Sequence, residues 1–384
     1  MRGMQIFVPR ETKVGERRVA IVPDVIGKYL KAGFTVNVEA GAGIHAQAED
    51  DAYIVAGAKV VSASAISEAD VILSVNPLTP DQFSKVKKGA ITISFLAPNQ
   101  SLDSISAAAK AGATTFALEL VPRISRAQSM DALTSQALCA GYRAALVAAE
   151  LSPRFFPLLM TAAGTVTPAN VVVLGAGVAG LQAIATARRL GAVVSAYDVR
   201  PSSADEVRSM GATFIDLKLE ALEGAGGYAR EMTEERAAKQ RELLTPYLAN
   251  ADVVITTAAV PGRPAPRLVT EEMVAAMKKG SIIVDLAAES GGNVAGSKPG
   301  ETLEKSGVRI WGGKDVPSQL PFHASQLFAK NCMNLLMLMV KTEEGKSSLQ
   351  LDFTDEIIAA SAVTHQGEIR HEGAKNALAS GGSR

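Results

Sequence analysis

The stretch Val171-Val172-Val173-Leu174-Gly175-Ala176-Gly177-Val178-Ala179-Gly180 decides the fold. An apolar, β-branched run enters a G-x-G-x-x-G motif, and the small-residue segment 181–190 that follows has a helix-forming composition. A second apolar run, residues 192–197, then ends at Asp198. Strand, tight turn, helix, strand and acid within about 30 residues are what a dinucleotide-binding unit requires. The pattern therefore predicts a nucleotide site at this turn.

Each part of the motif has a physical role. The glycines let the turn close and let the backbone approach a pyrophosphate, to which the first helical turn offers free N–H groups. Asp198 lies roughly 20 residues further on, where a carboxylate accepts hydrogen bonds from ribose hydroxyls and repels a 2′-phosphate. NAD is therefore favoured over NADP, and the alternative is a glycine-rich turn that binds nothing. The predicted cofactor contacts are Gly175, Gly177, Val178, Ala179, Gly180, Asp198, Val199, Arg200, Thr257, Ala258 and Ala259.

The composition excludes several classes of function. The chain has 384 residues, of which 47% are hydrophobic, so two domains with full cores can form. Lys plus Arg and Asp plus Glu each number 39, so no basic surplus favours nucleic acid. The two cysteines and four histidines show no metal-binding spacing, and we predict no metal site. The longest apolar run, residues 332–340, is too short to cross a bilayer.

Short apolar runs alternate with helical segments along the chain, which predicts parallel sheets with helices on both faces. Two sets of strands share similar blocks, since Ala69-Asp70-Val71-Ile72-Leu73 resembles Ala251-Asp252-Val253-Val254-Ile255. We therefore predict an α/β fold with two doubly wound domains. The first set opens into Pro9-Arg10-Glu11 instead of glycines, which predicts one nucleotide site per chain. The predicted strands are residues 5–8, 35–39, 71–75, 91–95, 114–118, 171–174, 193–197, 213–215, 253–257, 282–286 and 308–311.

Two long helical patterns, residues 129–149 and 325–340, are expected to connect the domains. If both cross, the first domain comprises residues 1–138 with 325–384, the nucleotide-binding domain comprises residues 139–324, and a cleft lies between them. The glycine-rich segment 223–228, before a charged helix at 233–244, and the tail 380–384 are expected to be mobile. The apolar segment 155–160 is either core or an interface.

Four blocks of the sequence are common to two related enzyme families. They are Val8-Pro9-Arg10-Glu11, Glu16-Arg17-Arg18-Val19-Ala20, the motif at 171–180, and Asp285-Leu286-Ala287-Ala288-Glu289-Ser290-Gly291-Gly292. The chain resembles the NAD(H)-binding component of the proton-translocating nicotinamide nucleotide transhydrogenases and, more distantly, the alanine dehydrogenases. The resemblance covers nearly the whole chain, from about residue 4 to about residue 370.

A further block, Pro122-Arg123-Ile124-Ser125-Arg126-Ala127-Gln128-Ser129-Met130-Asp131, discriminates between the two families. It resembles the transhydrogenase loop in which an arginine, a glutamine and an aspartate surround the nicotinamide. The resemblance implies these roles for Arg123, Gln128 and Asp131. That family usually has a serine three residues after the aspartate. This chain has Thr134 there, and the neighbouring Ser135 is a substitute.

The resemblance also implies how such a chain works. Gly226-Gly227-Tyr228-Ala229 resembles the family's mobile loop, whose tyrosine, here Tyr228, closes over bound nucleotide. Hydride passes directly between NADH and NADP⁺ on a partner subunit, and a membrane-spanning partner couples this step to proton translocation. Hydride transfer between two nicotinamides needs no acid or base. It needs aligned rings whose C4 atoms approach to about 3–3.5 Å. A homodimer contact near residues 155–160 and a cytoplasmic location, peripheral on the inner membrane face through the partners, are further implications.

Two other functions stay open at this point. Alanine dehydrogenases use a lysine and a histidine for acid–base work, and Ser74 and Phe95 stand at those positions here. Arg18 matches their substrate arginine, and Glu289 stands where they have an aspartate. The other function is that of a non-catalytic NADH-binding module.

The segment that discriminates between the families also has a purely structural interpretation. Arg123 and Asp131 could form a solvated ion pair beside a helix start. Ser129 or Asp131 would then be the N-cap of that helix.

Overall fold

The chain forms two compact units, Met1–Gln136 with Ser318–Arg384, and Ala137–Pro317. The computed structural model describes residues 3–219, 233–259, 264–343 and 346–380. The segment 223–228, which includes Tyr228, and the tail residues 381–384 lie outside the described residues. The first unit is discontinuous in sequence, because the chain returns to it after completing the second.

The first unit is built on an eight-stranded sheet. Its strands are β1 (Met4–Val8), β2 (Phe34–Glu39), β3 (Lys59–Val61), β4 (Val71–Leu73), β5 (Ile91–Ser94), β6 (Thr114–Ala117), β18 (Ala362–His365) and β19 (Glu368–Ile369). The spatial order is β19-β18-β6-β5-β4-β1-β2-β3. Strands β1 to β6 pair in parallel, and β18 and β19 extend the sheet antiparallel. A hairpin, β16 (Val340–Glu343) with β17 (Lys346–Leu349), belongs to the same unit.

The second unit is built on a seven-stranded sheet. Its strands are β9 (Asn170–Leu174), β10 (Val193–Tyr197), β11 (Thr213–Phe214), β12 (Val253–Thr256), β13 (Ile282–Asp285), β14 (Thr302–Lys305) and β15 (Val308–Gly312). The spatial order is β11-β10-β9-β12-β13-β15-β14, and only β14 runs antiparallel. A separate hairpin, β7 (Leu159–Thr161) with β8 (Gly164–Val166), precedes this sheet.

Helices surround both sheets. Those of the first unit are α1 (Pro23–Lys31), α2 (Asp50–Val55), α3 (Pro80–Phe83), α4 (Leu102–Lys110), α10 (Pro321–Leu338), α11 (Glu356–Ser361) and α12 (Glu372–Ala379). Those of the second unit are α6 (Val178–Arg189), α7 (Ser203–Ser209), α8 (Glu234–Ala249) and α9 (Glu271–Ala276). One more helix, α5 (Ala132–Leu151), starts in the first unit and ends in the second. Among the described residues, no helix is both long and apolar enough to span a membrane.

The buried strand β9 shows why apolar runs form these sheets. Val171 and Val173 face one hydrophobic core, and Val172 and Leu174 face the core on the opposite side of the sheet. A strand covered on both faces reads as a continuous apolar run, as parallel strands do. The predicted α/β fold with two doubly wound domains is confirmed, and each predicted run overlaps a strand that pairs in parallel in one of the two sheets.

The strands absent from the prediction are short, polar or both. β14 reads Thr-Leu-Glu-Lys at a sheet edge, and β18 pairs antiparallel with β6. Of the two long helices expected to connect the domains, α5 does cross the division. Helix α10 lies entirely in the first unit, because the chain leaves the second unit at Pro317, before this helix begins.

Candidate functional site

Parallel pairing brings three predicted segments to one edge of the second sheet. Leu174, the last residue of β9, pairs with Tyr197 of β10 and with Thr256 of β12. The glycine turn, Asp198 and Thr257 begin one residue beyond these strand ends. Chain connections lead in opposite directions from β9 and β12, and nucleotides bind at such a switch point in doubly wound sheets.

The three glycines of the turn meet three different demands. Gly175 has φ +101°, a conformation that favours glycine. A Cβ on Gly180 would lie 1.9 Å from the carbonyl oxygen of Gly175, so the helix packs against the strand end only without a side chain. A Cβ on Gly177 would meet nothing within 4 Å. The backbone at Gly177, the N-cap of α6, therefore borders open space into which the first helical N–H groups point.

The Asp198 carboxylate joins the glycine turn to the end of β10. Its Oδ2 accepts a hydrogen bond from the backbone N–H of Ala176 at 2.7 Å. Its Oδ1 accepts from the backbone N–H of Arg200 at 2.9 Å and from Arg200 Nε at 3.0 Å. The acid therefore stabilises the turn itself, and it lies beside a guanidinium that sequence spacing alone did not predict as its partner. Val199 between them is packed against the core below.

The segment after β12 is held by the predicted residue Thr257 and by two fully buried residues, Asn293 and Asp285, whose roles the sequence analysis did not predict. Thr257 Oγ1 donates to the carbonyl of Gly175 at 3.0 Å. Asn293, which is fully buried, accepts from Ala258 N at 3.1 Å and donates to Ala258 O at 2.8 Å. Buried Asp285 accepts from the backbone N–H of Asn293 at 3.4 Å. In the sequence, only the position of Asp285 at the end of a strand could have indicated this arrangement. Ala259, the last predicted residue of the segment, is exposed.

The corresponding switch point of the first unit is closed by a side chain. Strand β1 ends at Val8 without a glycine turn, and the Glu11 carboxylate accepts hydrogen bonds from Val75 N and, at 2.9 Å, from Asn76 Nδ2 just beyond β4. Burial raises the pKa of the Glu11 carboxyl to about 7, although the bonds from Asn76 and Val75 lower it. The Glu11 side chain thus bridges the ends of β1 and β4, where the second unit has its glycine turn, and one nucleotide site per chain stays a prediction.

Arg18 is held by internal partners. Its Nε and Nη2 donate to Glu16 at 2.8 and 2.7 Å, and its Nη1 donates to Gln136 at 2.8 Å. Burial raises the pKa of the Glu16 carboxyl, but hydrogen bonds and charge from Arg18 lower it to about 2. The Ser74 hydroxyl donates to the carbonyl of Asn76 at 2.7 Å.

The two positions that would carry acid–base chemistry in an alanine dehydrogenase hold Ser74 and Phe95. The Phe95 ring packs 5.3 Å from that of Phe328, centroid to centroid. Neither side chain titrates near neutral pH, so neither could exchange a proton with a substrate beside Arg18.

Residues 122–131, which we call the candidate nicotinamide segment, lie in the first unit and contain a short 3₁₀ helix, Ser125–Met130. Arg123 and Gln128 have exposed side chains, whereas Asp131 is half-buried. Asp131 accepts hydrogen bonds from the backbone N–H of Thr134 at 2.9 Å and from its hydroxyl at 2.6 Å. Asp131 therefore caps α5, as the structural interpretation proposed. A carboxylate has about four acceptor positions, so capping leaves capacity for a ligand.

The remaining first-unit candidate, Ser135, points into the protein. Its hydroxyl lies 2.7 Å from Asn331 Oδ1 and 3.1 Å from the carbonyl of Ala132. The structure thus brings together Asp131 and Thr134 as a helix cap, and it gives Ser135 a different, internal set of partners. Within the residues that the structure describes, no cluster of three metal-ligating side chains occurs.

Comparisons with known proteins agree with this geometry. The family models described as "Alanine dehydrogenase/PNT, N-terminal domain" and "Alanine dehydrogenase/PNT, C-terminal domain" match residues 7–140 and 144–372. An NAD(P) transhydrogenase subunit alpha protein of Rhodospirillum rubrum is 48% identical over 378 residues, which cover 96% of this chain and 98% of that protein. NAD(P) transhydrogenase subunit alpha of Haemophilus influenzae is 43% identical and covers 95% of this chain, which spans 71% of that protein.

Two solved structures give the same result. The transhydrogenase from Sinorhizobium meliloti has a TM-score of 0.84 and 44% identity, covering 96% of this chain and 99% of its own. An L-alanine dehydrogenase has a TM-score of 0.80 and 26% identity, covering 98% and 99%. The name subunit alpha implies that the transhydrogenase relatives work with partner subunits. This chain therefore belongs to the alanine dehydrogenase/PNT family of nicotinamide-nucleotide-dependent oxidoreductases, with NAD(P) transhydrogenase alpha subunits among its close relatives.

Proposed function

We propose that this chain binds NAD(H) at the switch point of its second unit and takes part in direct hydride transfer between NADH and NADP⁺. The NADP(H) is held on a partner subunit. The observation that carries the proposal is the carboxylate of Asp198, fixed at the end of β10 against the N–H of Ala176 in the glycine turn. A carboxylate in this place accepts hydrogen bonds from ribose hydroxyls and disfavours a 2′-phosphate.

The chain's own residues then bind and orient the nucleotide. Backbone N–H groups at the start of α6, from Val178 to Gly180, donate to the pyrophosphate. The segment 257–259, fixed by Asn293, lines the same edge of the sheet. When bound, NADH supplies the hydride.

We assign the positioning of the nicotinamide to the candidate segment 122–131, as the family resemblance implies. Arg123, Gln128 and Asp131 offer a guanidinium, an amide and a carboxylate, which suit the carboxamide and ribose of a nicotinamide. Thr134 keeps the Asp131 carboxylate in place through its backbone N–H and hydroxyl. Such groups accelerate transfer by positioning alone, since hydride exchange between two nicotinamides moves no proton.

Direct exchange between nucleotides is favoured over oxidation of an amino acid by the surroundings of Arg18. Reductive amination needs a group that exchanges a proton with the substrate. Ser74 and Phe95 supply none, and the Arg18 guanidinium is bound to Glu16 and Gln136. With pyruvate and ammonia, the chain is therefore not expected to oxidise NADH.

The proposal extends to the assembly. The names of the relatives support partner subunits, and we place the NADP(H) site on one and the proton pathway on a membrane-spanning one. The chain would then lie in the cytoplasm, peripheral on the inner membrane through these partners. A second copy is proposed to cover the apolar surface formed by Phe155, Leu158 and Met160, which are 60%, 54% and 78% exposed.

The test is equilibrium titration with NADH and NADPH, followed by addition of an NADP(H)-binding partner. We expect NADH to bind the tighter of the two. We also expect Asp198→Ala to weaken NADH binding by about 1–3 kcal/mol, as loss of a charge-assisted hydrogen bond implies. Asp205→Ala is the matched control, because the Asp205 carboxylate is exposed in the same unit.

Equal affinities for NADH and NADPH in the unmodified protein would contradict the NAD(H) assignment. Hydride transfer on adding the partner with bound NADP⁺ separates the proposal from a non-catalytic NADH-binding module. Steady NADH oxidation with pyruvate and ammonia, lost in Arg18→Ala, would support an alanine dehydrogenase instead.

A further inference from the structure

The carbonyl of Ser129, near the end of the candidate nicotinamide segment, accepts hydrogen bonds from two side-chain amides of a helix that is distant in sequence. Asn331 Nδ2 and Asn334 Nδ2 each donate to the Ser129 oxygen at 3.0 Å. Both lie on α10, three residues apart, so they share one face of that helix. The contact joins residues about 200 positions apart, as its two ends lie before and after the second unit.

Asn331 also contacts Ser135, which follows Asp131 in the sequence, whereas Ser129 precedes it. Asn331 Oδ1 accepts from the Ser135 hydroxyl at 2.7 Å, while its Nδ2 binds Ser129 O. Ser129 lies two residues before Asp131 and Ser135 lies four residues after it. The Asn331 side chain, which is 6% exposed, therefore connects the two ends of the turn 129–135, which carries the Asp131 carboxylate.

Further hydrogen bonds hold the Ser135 side of this contact. Gln136 Nε2 donates to the Ser135 hydroxyl and to the carbonyl of Ala324, both at 3.1 Å. Gln136 Oε1 accepts from Arg18, whose other donors are held by Glu16. Ser135 is thus fixed from within the core of the first unit, and Asn331 transmits that position to Ser129.

A second anchor holds the beginning of the same segment. Arg126 makes a two-pronged ion pair with Asp355, at 2.8 and 3.0 Å, and reaches Glu356 at 3.3 Å. This ion pair is partly exposed, so its contribution to stability is expected to be small. Both anchors come from the part of the chain that follows Pro317.

We propose that Asn331 is a positioning residue for hydride transfer. It acts through Ser129 and Ser135, and it fixes the turn that carries Gln128 and Asp131. This inference rests on the proposed function of the segment. The physical reason is that the direction of the exposed Gln128 side chain follows its backbone. The buried Asn331 amide holds that backbone at the Ser129 carbonyl and is itself held by the Ser135 hydroxyl.

The decisive variant is Asn331→Asp, which keeps the shape and the acceptor for Ser135 but removes the donor to Ser129 O. We expect single-turnover hydride transfer to fall at least about tenfold at saturating NADH, with NADH affinity changed less than about threefold. Asn334→Ala should have a smaller effect, because Asn331 still binds the same carbonyl. Lys330→Ala, an exposed neighbour on the same helix, is the control and should retain the original rate.

Amide hydrogen exchange of residues 125–131 gives a readout that does not depend on activity. We expect faster exchange in Asn331→Asp and unchanged exchange in Lys330→Ala. Unchanged exchange in Asn331→Asp, an unaltered transfer rate, or equal losses of rate and affinity would overturn the inference. Failure of the unmodified protein to bind NADH would overturn the proposed function instead. If Asn331→Asp does not fold, Asn331→Ser, with a smaller polar group, is subjected to the same measurements.

Discussion

Gln128 has an exposed side chain on a segment whose backbone is fixed, so a change there tests placement of the amide. Gln128→Asn keeps the hydrogen-bonding groups and withdraws them by one methylene. We expect the hydride-transfer rate to fall at least about tenfold, or roughly 1.4 kcal/mol of barrier, while NADH affinity changes much less. Stopped-flow transfer to an NADP⁺ analogue on the partner, alongside equilibrium titration, makes the comparison. An unaltered rate, or equal losses of rate and affinity, would refute this role.

Some residues of the candidate site could be located from sequence and others could not. Asp198 follows from spacing, because strand, helix and strand have nearly fixed lengths in a dinucleotide-binding unit. Its hydrogen bonds to Ala176 and Arg200 do not, since they depend on side-chain direction. Asn293 and Asn331 carry no local signal, because each becomes meaningful only through partners that are distant in sequence.

At the scale of elements, the start of α6 is built by close packing as well as by its motif. Helix α5 passes the first turn of α6 with Gly141 facing Ala179, and a Cβ on Gly141 would lie 2.0 Å from the Ala179 carbonyl oxygen. A glycine of a second helix thus allows close packing against the first turn of α6. No motif records it, because the pattern around Gly141 reads as an ordinary helix.

Gly141→Ala is therefore expected to push α5 away from α6. The change should lower the free energy of unfolding by about 1–3 kcal/mol, as overpacking does, and weaken NADH binding. Gly27→Ala is the matched control, because Gly27 is also helical and its Cβ would meet nothing within 4 Å. That control should be neutral or slightly stabilising. Denaturant unfolding of both variants decides, and equal stability of the two would contradict the packing argument.

Elements were predictable where burial made them distinctive. The central parallel strands are covered on both faces, so their apolar runs stand out from the segments around them. The edge strand β14 is only partly buried, and the interior strand β18 pairs with β6, which lies far from it along the chain. Sequence periodicity therefore recovered the middle of each sheet better than its margins.

On the scale of the whole molecule, the exposed apolar surface formed by Phe155, Leu158 and Met160 is the feature that favours a second copy. Met160→Lys should shift a homodimer towards monomer, because it places a charge where an apolar contact is proposed. Val14→Lys is the control, since Val14 is 87% exposed in the other unit. Sedimentation velocity across a concentration series measures the effect. An unmodified protein that stays monomeric at the highest concentration would rule out the proposed homodimer.

The discontinuous first unit imposes an order on biosynthesis. Strand β6 leaves the ribosome long before its neighbour β18, whose Thr364 N–H donates to the Thr115 hydroxyl across 249 residues of sequence. The second unit is one uninterrupted stretch, so it is complete while β6 is still an open edge. Open edges template association between chains. The nascent chain is thus most exposed to association with other chains during the interval in which its second unit is finished and its first sheet is not.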